Sequence, residues 1–128
     1  MEIRRGDIVE VDFGLPVGSV QGGIRPAVVV QNDAGNIHSP TTLVMSVTSS
    51  KMKRSIPTHG ELAANSGCGL DRDSTFTAEQ IRTINKSQIL RKFGHVTPNQ
   101  MATVDIAVAI SFGVYSYAAN RSRLQGAG

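Results

Sequence analysis

The stretch Gly18-Ser19-Val20-Gln21-Gly22-Gly23-Ile24-Arg25-Pro26-Ala27-Val28-Val29-Val30-Gln31 joins a glycine-rich loop, one arginine and a buried strand. Gly22 and Gly23 carry no Cβ, so their backbone amides can approach a ligand closely. Pro26 has a fixed φ at the start of the strand, which holds Arg25 at the edge of the apolar run. A guanidinium held in this way suits a planar anion such as phosphate. The stretch alone fits a hairpin loop whose arginine pairs with a carboxylate equally well.

Short strands account for most of the remaining pattern. Alternating or two-faced apolar runs predict strands at residues 8–13, 27–31, 41–48, 58–62, 74–84 and 92–96. The run 32–36 has the composition of a turn. The alternation in 74–84 changes register at Ile81, which predicts a bulge or bend there. Ser49 extends the run of hydroxyl residues that ends the strand 41–48.

A terminal helix is predicted to begin after Thr97, with Pro98 at its first position and Gln100 closing a capping box. Apolar residues then follow on two faces as far as Tyr117. A helix that is apolar on two sides is buried on two sides, so the second face meets another subunit or lies in the core. Because no helices alternate with the strands, the pattern predicts a mainly β, small SH3-like barrel with a C-terminal helix over residues 1–118. Residues 119–128 show no pattern and are predicted to be disordered.

The composition is that of one small domain. The chain has 128 residues, with 13 Lys and Arg against 10 Asp and Glu, a net charge of +3 and a pI near 9.4. The basic excess mildly favours a polyanionic partner. Cys68 is the single cysteine, so no intramolecular disulfide can form and a reducing compartment is expected. A polar N-terminus and the absence of a long apolar run predict a soluble, cytoplasmic protein without a membrane segment.

Several classes of chemistry lack their sequence signals. The chain has no Walker-type loop, cysteine pair, His-Glu-x-x-His or Gly-x-Ser-x-Gly motif. The histidines, His38, His59 and His95, are on different predicted elements, which does not favour a two-histidine ribonuclease. No metal or other cofactor is therefore predicted. Arg25 and Thr48, each at the end of a predicted central strand, are the remaining candidates.

Four segments in their order and spacing resemble the MazF/PemK toxin family, and the resemblance covers nearly the whole chain. They are Arg5-Gly6-Asp7-Ile8-Val9, the stretch from Gly18 to Pro26, the stretch from Ser39 to Ser49, and Glu79-Gln80-Ile81-Arg82-Thr83-Ile84. The resemblance implies a CcdB/PemK-type barrel, a homodimer and a metal-independent endoribonuclease that cuts single-stranded RNA. It also implies a cognate, MazE-like antitoxin that wraps the dimer and blocks its groove.

The resemblance also implies catalytic residues. Arg25 and Thr48 match the positions that the MazF branch uses at the scissile phosphate. Attack by the ribose 2′-hydroxyl needs a base, an acid and donors for the charge that grows on the phosphate oxygens. A guanidinium, with a pKa above ~12, is a poor proton-transfer group, so Arg25 is assigned first to charge stabilisation and Thr48 to holding a phosphate oxygen. Glu79 matches the PemK branch's carboxylate and is either a general base or an outward strand residue.

Some positions depart from the family pattern. Val20 stands where an acidic residue is common, and Ser19 and Thr77 stand where the PemK branch has a histidine and an arginine. The PemK acid-base set therefore does not transfer. Amides near RNA can read the edges of unpaired bases, and a basic flap can hold the backbone. The residues predicted to contact RNA on these grounds are Ser19, Gln21, Gly22, Gly23, Asn32, Ser49, Lys51, Lys53, Arg54, Gln80 and Arg82.

Two other functions stay open from the residues alone. A non-catalytic nucleic-acid-binding barrel would keep the basic flap but would not need Arg25 and Thr48 together, and the few aromatic residues offer it few stacking platforms. A CcdB-like gyrase poison would act by protein contact through the end of its last helix.

Overall fold

A computed structural model describes residues 1–20, 22–49 and 56–115. The strands are β1 (Asp7–Asp12), β2 (Ile24–Val29), β3 (Thr41–Thr48), β4 (His59–Leu62), β5 (Ser74–Asn85) and β6 (Ile89–His95). The helices are α1 (Asp33–His38) and α2 (Pro98–Ser111), with short 3-10 turns at Ala64–Ser66 and Lys86–Gln88. Within these ranges the strands form one antiparallel sheet in the order β4-β5-β3-β2-β1-β6.

Each face of the sheet carries a buried apolar cluster. Adjacent residues of a strand point to opposite faces, and Val28 belongs to one cluster whereas Val29 belongs to the other. The larger cluster includes Val104 and Ala107 of α2. The smaller cluster includes Phe13, which follows β1. The central strands are therefore buried on both faces, as the two-faced runs in the sequence predict.

The loop between β4 and β5 makes the sheet curl. Cys68 and Leu70 of this loop are buried in the larger cluster. The loop backbone also lies against β6, because a Cβ added at Gly94 would collide with the carbonyl of Cys68. β4 and β6 are the two edges of the sheet, so this contact brings the edges towards each other and gives a half-barrel. The predicted class, a small SH3-like barrel with a C-terminal helix, is confirmed in this form.

Helix α2 begins as predicted and ends earlier than predicted. Thr97 accepts a hydrogen bond from the Gln100 amide, and the Gln100 side chain accepts one from Thr97, so the capping box is present. The helix ends at Ser111, and Gly113 has a φ of 75°, a left-handed conformation that stops helices. The prediction of a helix to Tyr117 is therefore wrong for the turn after Ser111. Tyr117 and the predicted tail 119–128 lie outside the described residues.

The predicted turn at 32–36 is wrong, because α1 occupies it. The Asn32 side chain accepts a 2.8 Å hydrogen bond from the Gly35 amide and caps this six-residue helix. Gly, Asn and Asp favour turns over helix interiors, so local propensity does not reveal α1. Other boundaries also differ: β2 begins at Ile24 rather than at 27, and β6 begins at Ile89 rather than at 92.

Other predictions for the sheet are confirmed. β3 has the predicted bounds, and β4 is an edge strand. The predicted bend in β5 is present as a change of register against β3. Met45 pairs with Ile81 and Val47 with Phe76, so two steps along β3 match five along β5. Residues 77 to 80 therefore bulge away from regular pairing.

Candidate functional site

Arg25 and Thr48 lie at the same end of two neighbouring strands. The ladder between β2 and β3 ends at the pair of Ala27 and Ser46, and Arg25 and Thr48 each lie two residues beyond that pair at the same end of the sheet. Both residues line one cavity of about 600 Å³. The structure therefore brings together two candidates that are 23 positions apart in the sequence.

Arg25 is held by the loop that precedes it. Its Nε donates a 2.8 Å hydrogen bond to the carbonyl of Gly22, and its side chain is half-buried. Gly22 itself has no room for a Cβ, which would collide with the backbone of Leu15 and Pro16. The two terminal amino groups of Arg25 make no hydrogen bond within the described ranges. They are the donors that remain for a ligand in the cavity.

The loop between β1 and β2 is an extension of their hairpin. Phe13 donates to the carbonyl of Gly23 at 2.9 Å, and Gly23 donates to the carbonyl of Gly14 at 2.6 Å. An isolated bridge between Val17 and Val20 closes the tip. The Gly23 amide, predicted as a donor to RNA, is thus engaged within the hairpin. These bonds fix the carbonyl of Gly22 as the acceptor for Arg25.

The hydroxyl residues at the end of β3 differ in exposure. Thr48 is 8% exposed and pairs with Thr75 of β5, whereas Ser49 is exposed and also lines the cavity. A buried threonine beside a half-buried arginine offers an anion two kinds of polar group at one position. The backbone at this end of the sheet is set by the ladders of β2, β3 and β5.

Two further arginines line the cavity, and the sequence analysis missed both. Arg72 comes from the loop between β4 and β5, and Arg91 comes from the middle of β6. Asp71 is the one carboxylate among the described lining residues, so the three arginines give the cavity a positive charge. A cleft lined by one sign of charge concentrates ligands of the opposite sign. No local motif marks either arginine. The loop between β4 and β5 brings Arg72 to the cavity, and the edge strand β6 brings Arg91.

Glu79 lies outside the cavity lining. Its Oε2 accepts a 2.6 Å contact from Nε2 of His59, and its Oε1 accepts a 3.2 Å hydrogen bond from the hydroxyl of Thr58. The His59 side chain is only 8% exposed, and its Nδ1 is buried with no hydrogen-bond partner among the described residues. Glu79 is therefore an exposed strand residue whose carboxylate contacts two neighbours at the β4–β5 edge.

Four of the other predicted RNA contacts lie outside the cavity lining. The Gln80 amide donates a 3.4 Å hydrogen bond to the carbonyl of Ser19, which joins the hairpin tip to β5. The guanidinium of Arg82 lies 4.0 Å from the ring centre of Phe13, and burial lowers the pKa of Arg82. Asn32 caps α1. None of these four lines the cavity. Gln21, Lys51, Lys53 and Arg54 lie outside the described residues.

A metal-binding cluster and a membrane-spanning helix are both absent from the described ranges. No group of three or more His, Cys, Asp or Glu side chains is arranged to hold a metal ion there. No helix in the same ranges is long and apolar enough to cross a membrane.

Comparison with known proteins supports the resemblance seen in the sequence. Residues 4–112 match the family model described as "PemK-like, MazF-like toxin of type II toxin-antitoxin system". Endoribonuclease EndoA of Bacillus subtilis is 42% identical over 117 residues, which cover 91% of this chain and 100% of that protein. Endoribonuclease MazF of Staphylococcus saprophyticus is 40% identical over 120 residues, which cover 94% and 99%.

Solved structures agree with the fold. An endoribonuclease in complex with its cognate antitoxin, from Mycobacterial species, aligns with a TM-score of 0.74 and 25% identity over 89% of this chain and 98% of that one. MazF from Deinococcus radiodurans aligns with a TM-score of 0.75 and 23% identity, and the alignment covers 88% of this chain and 98% of that one. With its curled sheet, terminal helix and match over residues 4–112, the chain belongs to the PemK-like, MazF-like toxins of type II toxin-antitoxin systems.

Proposed function

We propose that this toxin is a sequence-specific endoribonuclease that cuts single-stranded RNA without a metal ion. The observation that carries the proposal is that Arg25 and Thr48 line one cavity, with the guanidinium hydrogen-bonded to Gly22. Relatives at 42% and 40% identity are named endoribonucleases, which supports the reaction class.

The proposed reaction uses the 2′-hydroxyl of the substrate as the nucleophile. Its oxygen forms a bond to the adjacent phosphorus, and the bond from phosphorus to the 5′-oxygen breaks. The products are a 2′,3′-cyclic phosphate and a 5′-hydroxyl, so no water is consumed in the step. Negative charge grows on the non-bridging oxygens, where the terminal amino groups of Arg25 donate hydrogen bonds. The Thr48 hydroxyl holds one of these oxygens.

Glu79 is the candidate base for the proton of the 2′-hydroxyl. His59 and Thr58 hold its carboxylate in place. Since Glu79 lies outside the lining of the Arg25 cavity, this role requires the RNA to reach from the cavity to the β4–β5 edge. The departing 5′-oxygen takes a proton from Arg25 or from solvent, which is a secondary role for the guanidinium.

The groups at the cavity fit metal-free chemistry. Guanidinium and hydroxyl groups stabilise phosphate charge directly, and they are not metal ligands of the kind that carboxylate or histidine clusters supply. Arg72 adds positive charge for the RNA backbone. Lys51, Lys53 and Arg54 are proposed to add positive charge to the contact with RNA, and Gln21 to add an amide.

We propose a homodimer bound by a MazE-like antitoxin. Ile106 of α2 is 46% exposed and Phe112, its C-terminal cap, is 58% exposed, so apolar side chains are available to a second copy. A solved relative is titled as a complex with its cognate antitoxin. An antitoxin that covers the positively charged cavity would exclude RNA. Because cellular RNA is the proposed substrate, we place the activity in the cytoplasm.

The test is cleavage of a long single-stranded RNA by the purified protein in excess EDTA, with the ends identified by mass spectrometry. The proposal expects cleavage to persist, with 2′,3′-cyclic phosphate and 5′-hydroxyl ends. Dependence on magnesium, or a 5′-phosphate end, would contradict the mechanism. Binding of RNA without cleavage would favour a non-catalytic nucleic-acid-binding barrel.

A further inference from the structure

Two bulges in β6 give its side chains an irregular placement. Ile8 of β1 pairs with Gly94, but the next residue, Val9, pairs with Lys92. Phe93 is therefore an extra residue in the ladder, and Leu90 is extra in the same way beside Val11. Bulges of this kind re-aim side chains and are frequent next to active sites. Arg91 stands between the two bulges, in a pair with Glu10.

Arg91 and Phe93 form a stacked pair at the cavity. The Arg91 guanidinium carbon lies 4.5 Å from the centre of the Phe93 ring, and both side chains line the same cavity as Arg25. On its edge, Arg91 Nε lies 3.4 Å from a carboxylate oxygen of Glu10. The Arg91 side chain is 64% exposed although one face covers the ring. The Arg91 guanidinium thus contacts the Phe93 ring and the Glu10 carboxylate, while most of the side chain is exposed to solvent.

We propose that Arg91, supported by Phe93, is a stacking platform for the unpaired base next to the phosphate that Arg25 holds. This inference rests on the proposed function and adds a positioning residue to it. Flat guanidinium groups stack on the faces of unpaired bases, and this stacking tolerates different bases because each has a π face. Arg91 would therefore strengthen RNA binding without reading the sequence.

The charge balance favours a base over a phosphate as the ligand of Arg91. Glu10 offsets part of the charge of Arg91 on its edge, so Arg91 attracts an anion less strongly than an arginine without such a neighbour. Arg25 and Arg72 have no such carboxylate within 4.0 Å among the described residues. The volume of about 600 Å³ falls within the range of about 300–1,000 Å³ typical of small-molecule sites, which leaves room for a nucleotide beside its phosphate.

The experiment compares two uncleavable probes by fluorescence anisotropy. One is a mixed-sequence single-stranded DNA oligonucleotide, which has no 2′-hydroxyl. The other is an abasic strand of the same length and charge. Wild type is expected to bind the strand with bases more tightly. Arg91→Lys keeps the charge but removes the plane, so it should weaken binding to the strand with bases on the order of tenfold and leave binding to the abasic strand unchanged.

Further variants separate stacking from folding and charge. Phe93→Leu removes the supporting ring and should lower the same preference, with folding checked by thermal melting. Arg4→Ala removes a positive charge whose guanidinium pairs with Glu2 away from the cavity, and it should leave the preference for bases intact. In RNA cleavage, Arg91→Lys should raise KM and leave kcat unchanged, because Arg91 positions the substrate and does not touch the reacting phosphate.

The outcomes distinguish this inference from the proposed function. If folded Arg91→Lys keeps the wild-type preference for bases, the platform is overturned while RNA cleavage stands. If Arg91→Lys and Arg91→Ala weaken both probes equally, Arg91 is a phosphate contact and the platform is again overturned. If wild type binds neither probe and cuts no RNA, the proposed function fails and the platform fails with it.

Discussion

Arg25 Nε donates a 2.8 Å hydrogen bond to the carbonyl of Gly22, three residues earlier in the chain. This bond fixes the plane of the guanidinium and leaves its terminal amino groups directed to other partners. Gly23 accepts a hydrogen bond from Phe13 and donates one to Gly14, and these two bonds hold the backbone of the neighbouring Gly22 in place. The position of Arg25 therefore depends on the glycine loop. The loop is therefore part of the proposed site even where its own amides are engaged.

Arg25→Ala is expected to lower the rate of RNA cleavage by about 10² to 10³, the typical cost of losing one charge-stabilising donor. The residue is half-buried and belongs to neither apolar cluster, so the melting temperature should change little. Single-turnover cleavage and thermal melting measure the two effects. Near wild-type cleavage by a folded variant would remove Arg25 from the mechanism. Cys68→Ser, at a buried thiol that is not itself among the lining residues, should leave cleavage unchanged.

Gly22→Ala is expected to reduce cleavage by displacing Arg25. An added Cβ would collide with the backbone of Pro16, so the hairpin must open and the acceptor of Arg25 must move. Gly18→Asn is the matched control, because a Cβ there meets nothing within 4 Å and asparagine tolerates the φ of 56°. The control should cut RNA at the wild-type rate. Equal activity in the two variants would show that the bond to Gly22 does not position Arg25.

Glu79→Gln is expected to lower kcat by about 10² or more if the carboxylate takes the 2′-hydroxyl proton. The amide oxygen can still accept from His59 and the amide NH2 can donate to the Thr58 hydroxyl, so the β4–β5 edge should remain folded. Glu61→Gln, an exposed carboxylate on neighbouring β4, is the control and should have no effect. Unchanged kcat in Glu79→Gln would assign the proton transfer to Arg25 or to solvent.

Two exposed apolar side chains, Ile106 of α2 and Phe112 at its C-terminal cap, are expected to form the dimer contact. Sedimentation at micromolar concentration should give a dimer for wild type and a shift towards monomer for the Ile106→Ser, Phe112→Ser double variant. Ile37→Ser removes an equally exposed apolar side chain from α1 and should leave the dimer intact. A wild-type protein that sediments as a monomer throughout would contradict the dimer.

The fold could be predicted from the sequence where its signals are local. The capping box at Thr97 and Gln100 and the two-faced run of β3 each involve neighbouring residues, and both are present. Helix α1 could not be predicted, because its residues favour turns in isolation. Its cap at Asn32 is local, and the 2.7 Å hydrogen bond from the Arg5 amide to Asp33 joins the helix to a segment 28 residues away.

In the candidate site, too, residues with a local sequence signal could be predicted and the others could not. The loop and strand ends mark Arg25 and Thr48 in the sequence, and the antiparallel ladder then brings them together. Arg72 and Arg91 reach the cavity through a loop that crosses to β6 and through a bulged edge strand, and neither feature has a short sequence signature. Glu79 and Gln80 lie where β5 departs from regular pairing, which explains why alternation alone could not place them.

The most direct test of the account is a single deoxyribose at the cleavage site. After the cut has been mapped on a single-stranded RNA, the same strand is made with one 2′-deoxynucleotide on the 5′ side of the scissile phosphate. Internal attack at the phosphate held by Arg25 and Thr48 predicts that this strand binds with unchanged affinity and is not cut at that position. Continued cleavage at the same bond would show that the nucleophile is not the 2′-hydroxyl, and would contradict the mechanism.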